Sequence, residues 1–156
     1  MAIIRLTDMA TRGLNREPDS WLIQNEDEFL ALVESFTNRP PRVMLLETGN
    51  HRVEFGVGDP QKESFAYIKD KRKPEYQFAW FPPREHRWST RPMNPKIVLD
   101  FASEGESRMV LPEEMAPIEE VLRVVLYILR HDEVPEGVSW PLKDLDPPEV
   151  DEDIPL

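Results

Sequence analysis

The chain has 156 residues, 40% of them hydrophobic, with no cysteine and 30 Asp and Glu against 19 Lys and Arg. That length suits one domain with one core, and the missing cysteines exclude disulfides, thiolate zinc sites and cysteine nucleophiles while permitting a reducing compartment. The charge is uneven: residues 1–100 hold 15 acids and 15 bases, whereas residues 101–156 hold 15 acids and 4 bases, so the whole net charge of −11 lies in the last third.

A field of that kind repels nucleic acid and attracts basic surfaces; its plainest role is a solvated acidic surface that aids solubility. The opening "MAIIRL" carries one arginine and a very short apolar run. That is far below a signal-peptide core or a membrane span, so the expectation is a cytoplasmic protein with no membrane partner.

In chain order, "WLIQNEDEFLALVESFTNRPP" reads as a short strand and then a helix. Asn25 is a good N-cap, Glu28 completes a capping box, and Glu26 and Asp27 suit the positive end of the helix dipole. Phe29, Leu32, Val33 and Phe36 fall on one apolar face, and Pro40 and Pro41 end the run. Strand signals follow at 42–47, 52–58, 64–70, 75–81 and 96–101, with a weaker sixth at 108–111. The links "TGNH", "GDPQK" and "KRKP" are short and carry turn chemistry, which argues for antiparallel hairpins. Trp80 shares a strand face with Tyr76 and Phe78 and is expected in the core.

Residues 82–95, "PPREHRWSTRPMNP", hold four prolines and read as a surface loop. The last long element, 112–131, has Met115, Ile118, Leu122, Val125 and Leu129 at helical spacing, with Val121, Leu126 and Ile128 widening the face. Glu113 and Glu114 come early and Arg130 and His131 late, as the dipole favours. Pro117 is tolerated if the helix starts near Glu114 and otherwise kinks it. The tail "KDLDPPEVDEDIPL" (143–156) is acidic and proline-rich and is expected to be extended or disordered. The fold class is therefore α+β: a single domain over 1–142, with a mainly antiparallel sheet of about five or six strands and an N-terminal and a long C-terminal helix packed on it.

Chemistry-bearing motifs are absent. His51, His86 and His131 lie in three segments without ligand spacing, and no phosphate-loop, dinucleotide or nucleophile-elbow pattern occurs. No catalytic residue, metal or cofactor is expected. Arg84, Arg87, Arg91 and Trp88 would suit phosphates and stacking, but the neutral first part and the acidic remainder argue against direct nucleic-acid binding. The loop reads instead as arginines neutralising nearby acids, or as an arginine and aromatic patch for a protein partner.

Residues 100–142 carry an ordered set of features: Asp100-Phe101 ending a strand, Leu111-Pro112 before the helix, the helix through Leu129, then Pro135 and, five residues on, Trp140. This set resembles the C-terminal signature of immunity protein family 1 of bacterial polymorphic toxin systems. The upstream order of a capped helix and a meander with the hairpin "FGVGDPQKESFAYI" is similar too. The resemblance implies a non-enzymatic α+β protein that binds one cognate toxin, often of the nucleic-acid deaminase class, inside the producing cell. Such toxins handle a polyanion, so their clefts tend to be basic and an acidic surface complements them.

On that reading the partner-binding candidates are Asp132, Glu133 and Glu136 after the helix, and Asp144, Asp146, Glu149, Asp151, Glu152 and Asp153 of the tail. Arg87 and Trp88 form a second patch. Pro135 and Gly137 are expected to turn the chain so that Trp140 is buried, leaving Asp132, Glu133 and Glu136 facing solvent or partner. An adaptor or secretion-chaperone-like interaction module is the alternative, and a small carboxylate-based enzyme a more distant one.

Overall fold

The computed structural model describes residues 3–11, 17–59, 62–74, 78–82, 99–103, 106–110 and 115–136, with backbone placement alone for 99–103 and 106–110. Arg87, Trp88, Trp140 and the tail acids Asp144, Asp146, Glu149, Asp151, Glu152 and Asp153 lie outside them.

The first strand, β1 (Arg5–Asp8), pairs antiparallel with β2 (Ser20–Leu22). Between them Asp8 starts a short 3₁₀ turn, Met9–Thr11, accepting a bond from the Ala10 N–H at 3.0 Å. Helix α1 (Glu26–Ser35) begins as its sequence predicts: the Glu28 N–H donates to Asn25 Oδ1 at 2.9 Å, which satisfies one orphan donor of the first turn. Phe29, Val33 and Phe36 point inward.

Strands β3 (Arg42–Glu47), β4 (His51–Val57), β6 (Ala66–Asp70) and β7 (Phe78–Phe81) form the antiparallel meander. The main path across the sheet has six strands, in the order β2-β1-β3-β4-β6-β7. Two further strands, β8 (Leu99–Ser103) and β9 (Glu106–Val110), form an antiparallel pair. β8 meets β3 in parallel at Arg42, on the edge of β3 that β1 leaves open beyond Met44.

The alternation along these strands makes two faces. Leu6, Met44, Leu46, Val53, Phe55, Ile68 and Ala79 share one core with Phe29, Val33 and Phe36 of α1 and with the C-terminal helix. Fully buried aromatics such as Phe29, Phe36 and Phe55 each contribute about 2–3 kcal/mol of apolar burial. Val43, Leu45, Phe65, Met9 and Met115 form a smaller cluster. Trp80 is 5% exposed and meets the Tyr67 ring edge-on at 5.6 Å, its cross-strand partner. Its burial is thus on the side away from the helices, while neighbouring Ala79 enters the helix-covered core.

The C-terminal helix, α2 (Ile118–His131), is shorter than its periodicity predicts. Met115 is not helical, and Ala116–Pro117 form a short strand, β10, paired with β5 (Glu63–Ser64). Pro117 is the N-cap, and the Ile118 N–H donates to Lys62 O at 2.8 Å. The reason is proline chemistry: Pro117 disfavours helical geometry at Ala116 and lacks an N–H, so the helix begins after it rather than running through it. The buried stripe is accordingly Val121, Val124, Val125 and Ile128, with Ile118, Leu122, Leu126 and Leu129 half-buried. Met115 packs with the smaller cluster. Arg130 ties the end of α2 to the start of α1, its Nη2 lying 2.7 Å from Glu26 Oε1.

Candidate functional site: the C-terminal end of the long helix

The acids at 132–136 fall at a junction of three elements. α2 ends on Asp132, which adopts the left-handed conformation (φ 51°, ψ 38°) and donates its N–H to Ile128 O at 2.7 Å. Asp tolerates this region better than most non-glycine residues. Its side chain explains why glycine does not stand there. The carboxylate accepts bonds from Thr48 Oγ1, from the Asn50 N–H at 2.9 Å, and from His51 Nδ1 at 2.9 Å. Thr48 to His51 is the β3–β4 turn, so one carboxylate fastens the helix end to the hairpin.

His51 is fully buried between two carboxylates: its Nδ1 faces Asp132, and its Nε2 stands 3.6 Å from Asp70 Oδ2. Asp70 in turn is gripped by Arg72 through Nε and Nη2, each at 2.9 Å. The Arg72 guanidinium, opposed by burial, holds the Asp70 carboxyl down to about 2. Burial pushes the Asp132 carboxyl up, but the bonds from His51, Thr48 and the Asn50 N–H outweigh it and leave it lowered.

Asp132 is therefore not a free surface acid, contrary to the expectation that it faces solvent or a partner. Its side chain is 29% exposed and committed to the hairpin. Glu133 is exposed and stands 3.9 Å from Arg72, a loose surface pair. Glu136 is exposed and helps line a groove of about 380 Å³ with Phe81, Glu120, Arg123, Val124, Tyr127 and Pro135. Of the sequence candidates, the structure places Asp132, Glu133 and Glu136 at one corner.

A second depression, about 480 Å³, lies on the helix-free sheet face between Leu45, Arg52, Glu54, Tyr67, Lys69 and Phe78. Cross-strand register assembles it: Arg52 faces Lys69, which faces Phe78, and Glu54 faces Tyr67. Tyr67 and Phe78 stack at 4.8 Å. The face mixes both charges, so it favours no single ligand chemistry.

Sequence reasoning missed Thr48, His51, Asp70 and Tyr127. His51 stood alone by spacing, because its partners lie 19 and 81 residues further along the chain, at Asp70 and Asp132. The "TGNH" turn was the available signal, since a turn's polar groups need partners when buried. Among the described residues no group of three or more His, Asp or Glu side chains is placed to hold a metal, and no helix is long and apolar enough to cross a membrane. No protein-family model matches the chain, and no curated protein or solved structure matches it either.

Proposed function

We propose that this chain is an immunity-type inhibitor: it binds a cognate polymorphic toxin stoichiometrically in the producing cell and catalyses nothing itself. The proposed toxin acts on nucleic acid, as the deaminase class does. The observation that carries the reading is the corner at the end of α2. There Asp132 is consumed in fastening the chain, Glu133 stands exposed near Arg72, and Glu136 lines a groove holding an exposed aromatic ring. Rigid presentation of a few anchors is what stable protein recognition uses.

The acidic last third supports the same reading. It has no use in binding nucleic acid directly, but it complements a protein whose own cleft binds a polyanion. The sequence set Asp100-Phe101, Leu111-Pro112, Pro135 and Trp140 adds the family likeness. The test is co-expression with the toxin encoded beside it. Cells should survive, and the two proteins should co-purify at one to one. The absence of both rescue and co-purification would refute the reading.

A further inference from the structure

The groove beside α2 has a chemistry of its own. Glu120, Val124 and Tyr127 stand at i, i+4 and i+7, so they form one stripe on the side of α2 that meets Pro135 and Glu136. Val124, Phe81 and Pro135 give it an apolar floor, while Glu120, Glu136 and Arg123 stand at its rim. Tyr127 is 40% exposed, one of four large apolar side chains so exposed among the described residues. The ring is not loose: it packs against His131 at 4.6 Å. Glu136 follows by four residues the Asp132 anchor that fastens the end of α2 to the β3–β4 turn.

We propose that this groove receives an arginine side chain of the protein partner, its guanidinium lying on the Tyr127 ring and its charge between Glu120 and Glu136. The inference deepens the inhibitor reading and rests on it for the partner's existence. The chemistry comes from the groove. An aromatic face attracts a cation, and a planar, weakly hydrated guanidinium can stack and pair with carboxylates together, which an ammonium does less well. An apolar floor suits the aliphatic stem of arginine. The groove is also large enough for such a side chain. Arg123 is the resident cation at the rim. It follows Glu120 by three residues on the same helix and lines the same groove, where its charge opposes an incoming arginine.

The test uses the full chain and the peptide acetyl-Gly-Arg-Gly-amide, titrated by NMR, with Lys and Glu peptides in parallel. The arginine peptide should shift the Tyr127 ring and the Glu120 and Glu136 amides saturably, the lysine peptide should bind more weakly, and the glutamate peptide should not bind. Tyr127→Ala, and Glu120→Gln with Glu136→Gln, should each weaken binding by about tenfold. Tyr127→Phe should leave it unchanged, because the ring face rather than the hydroxyl is used. Arg123→Gln should tighten it by about threefold, the opposite of what a damaged fold would do.

No saturable shift, equal binding of the glutamate peptide, or weakening by Arg123→Gln overturns the proposal. The two readings separate cleanly. Peptide binding without toxin neutralisation removes the inhibitor reading and leaves the groove. Neutralisation that survives in Tyr127→Ala, with peptide binding lost, removes the groove and leaves the inhibitor.

Discussion

Asp132 does two jobs that pull in different directions. Its backbone sits in the left-handed region, where glycine is most comfortable, while its carboxylate satisfies the Asn50 N–H, Thr48 and His51. Replacing it by alanine keeps the backbone strain and strips partners from a buried histidine. Asp132→Ala should therefore cost about 2–3 kcal/mol in urea unfolding, by leaving buried donors unpaired. Asp132→Gly loses the same bonds but relieves the strain, so it should be more stable than the alanine variant by about 1 kcal/mol. Equal stabilities would mean that the left-handed cap carries no strain. Acid acts on the same corner. Asp70, at about 2, and Asp132, also lowered, have folded values below the ordinary carboxylate range. A depressed carboxyl contributes its stability above the unfolded value and loses it as pH falls through the folded one. The urea midpoint should thus hold from neutrality down to about pH 4 and fall between about pH 4 and 2. Asp70→Asn should flatten that fall.

Among the elements, α1 was readable from sequence and α2 only partly. The Asn25 cap, the acids of the first turn and the Phe29-Val33-Phe36 face are local features, and local features survive folding. The α2 periodicity is also local, but its start is not. Met115 sits in helical register by spacing, yet it packs with Val43 and Leu45, because Ala116–Pro117 pair with Glu63–Ser64. β1 went unread because four residues with one arginine carry little alternation until β2 and β3 flank them. At the end of β4, Gly58 has φ 89°, and a Cβ there would stand 2.7 Å from the Arg39 carbonyl oxygen. Gly58→Ala should destabilise the chain by about 2 kcal/mol or more, from left-handed strain and that contact together. A melting temperature unchanged in this variant would show that the 39–41 turn yields freely.

For the whole molecule, the charge distribution decides how it meets a partner. The acids Glu119, Glu120, Glu133 and Glu136 all lie exposed on α2 or just after it. Long-range attraction by such a surface raises association rates and is screened by salt. If the partner is the proposed toxin, the association rate should fall about tenfold or more between low and physiological-to-high salt, with dissociation nearly constant. Glu133→Gln with Glu136→Gln should lower the rate at low salt and reduce its salt dependence. A rate indifferent to salt would remove electrostatic steering from the account, though not the inhibitor itself.

The sequence by itself determined the class of fold, the antiparallel meander, the capped first helix and the acidic last third. Each follows from short-range periodicity, turn chemistry or a count of charges, none of which needs a partner far along the chain. Only the tertiary structure decided which acids are available. Asp132, Glu133 and Glu136 are chemically alike in sequence, but the burial of His51 calls for a carboxylate at its Nδ1, and the path of α2 delivers Asp132 to it. The same closure leaves Glu136 outside, beside Tyr127, and makes a groove from residues of β7, α2 and the turn beyond.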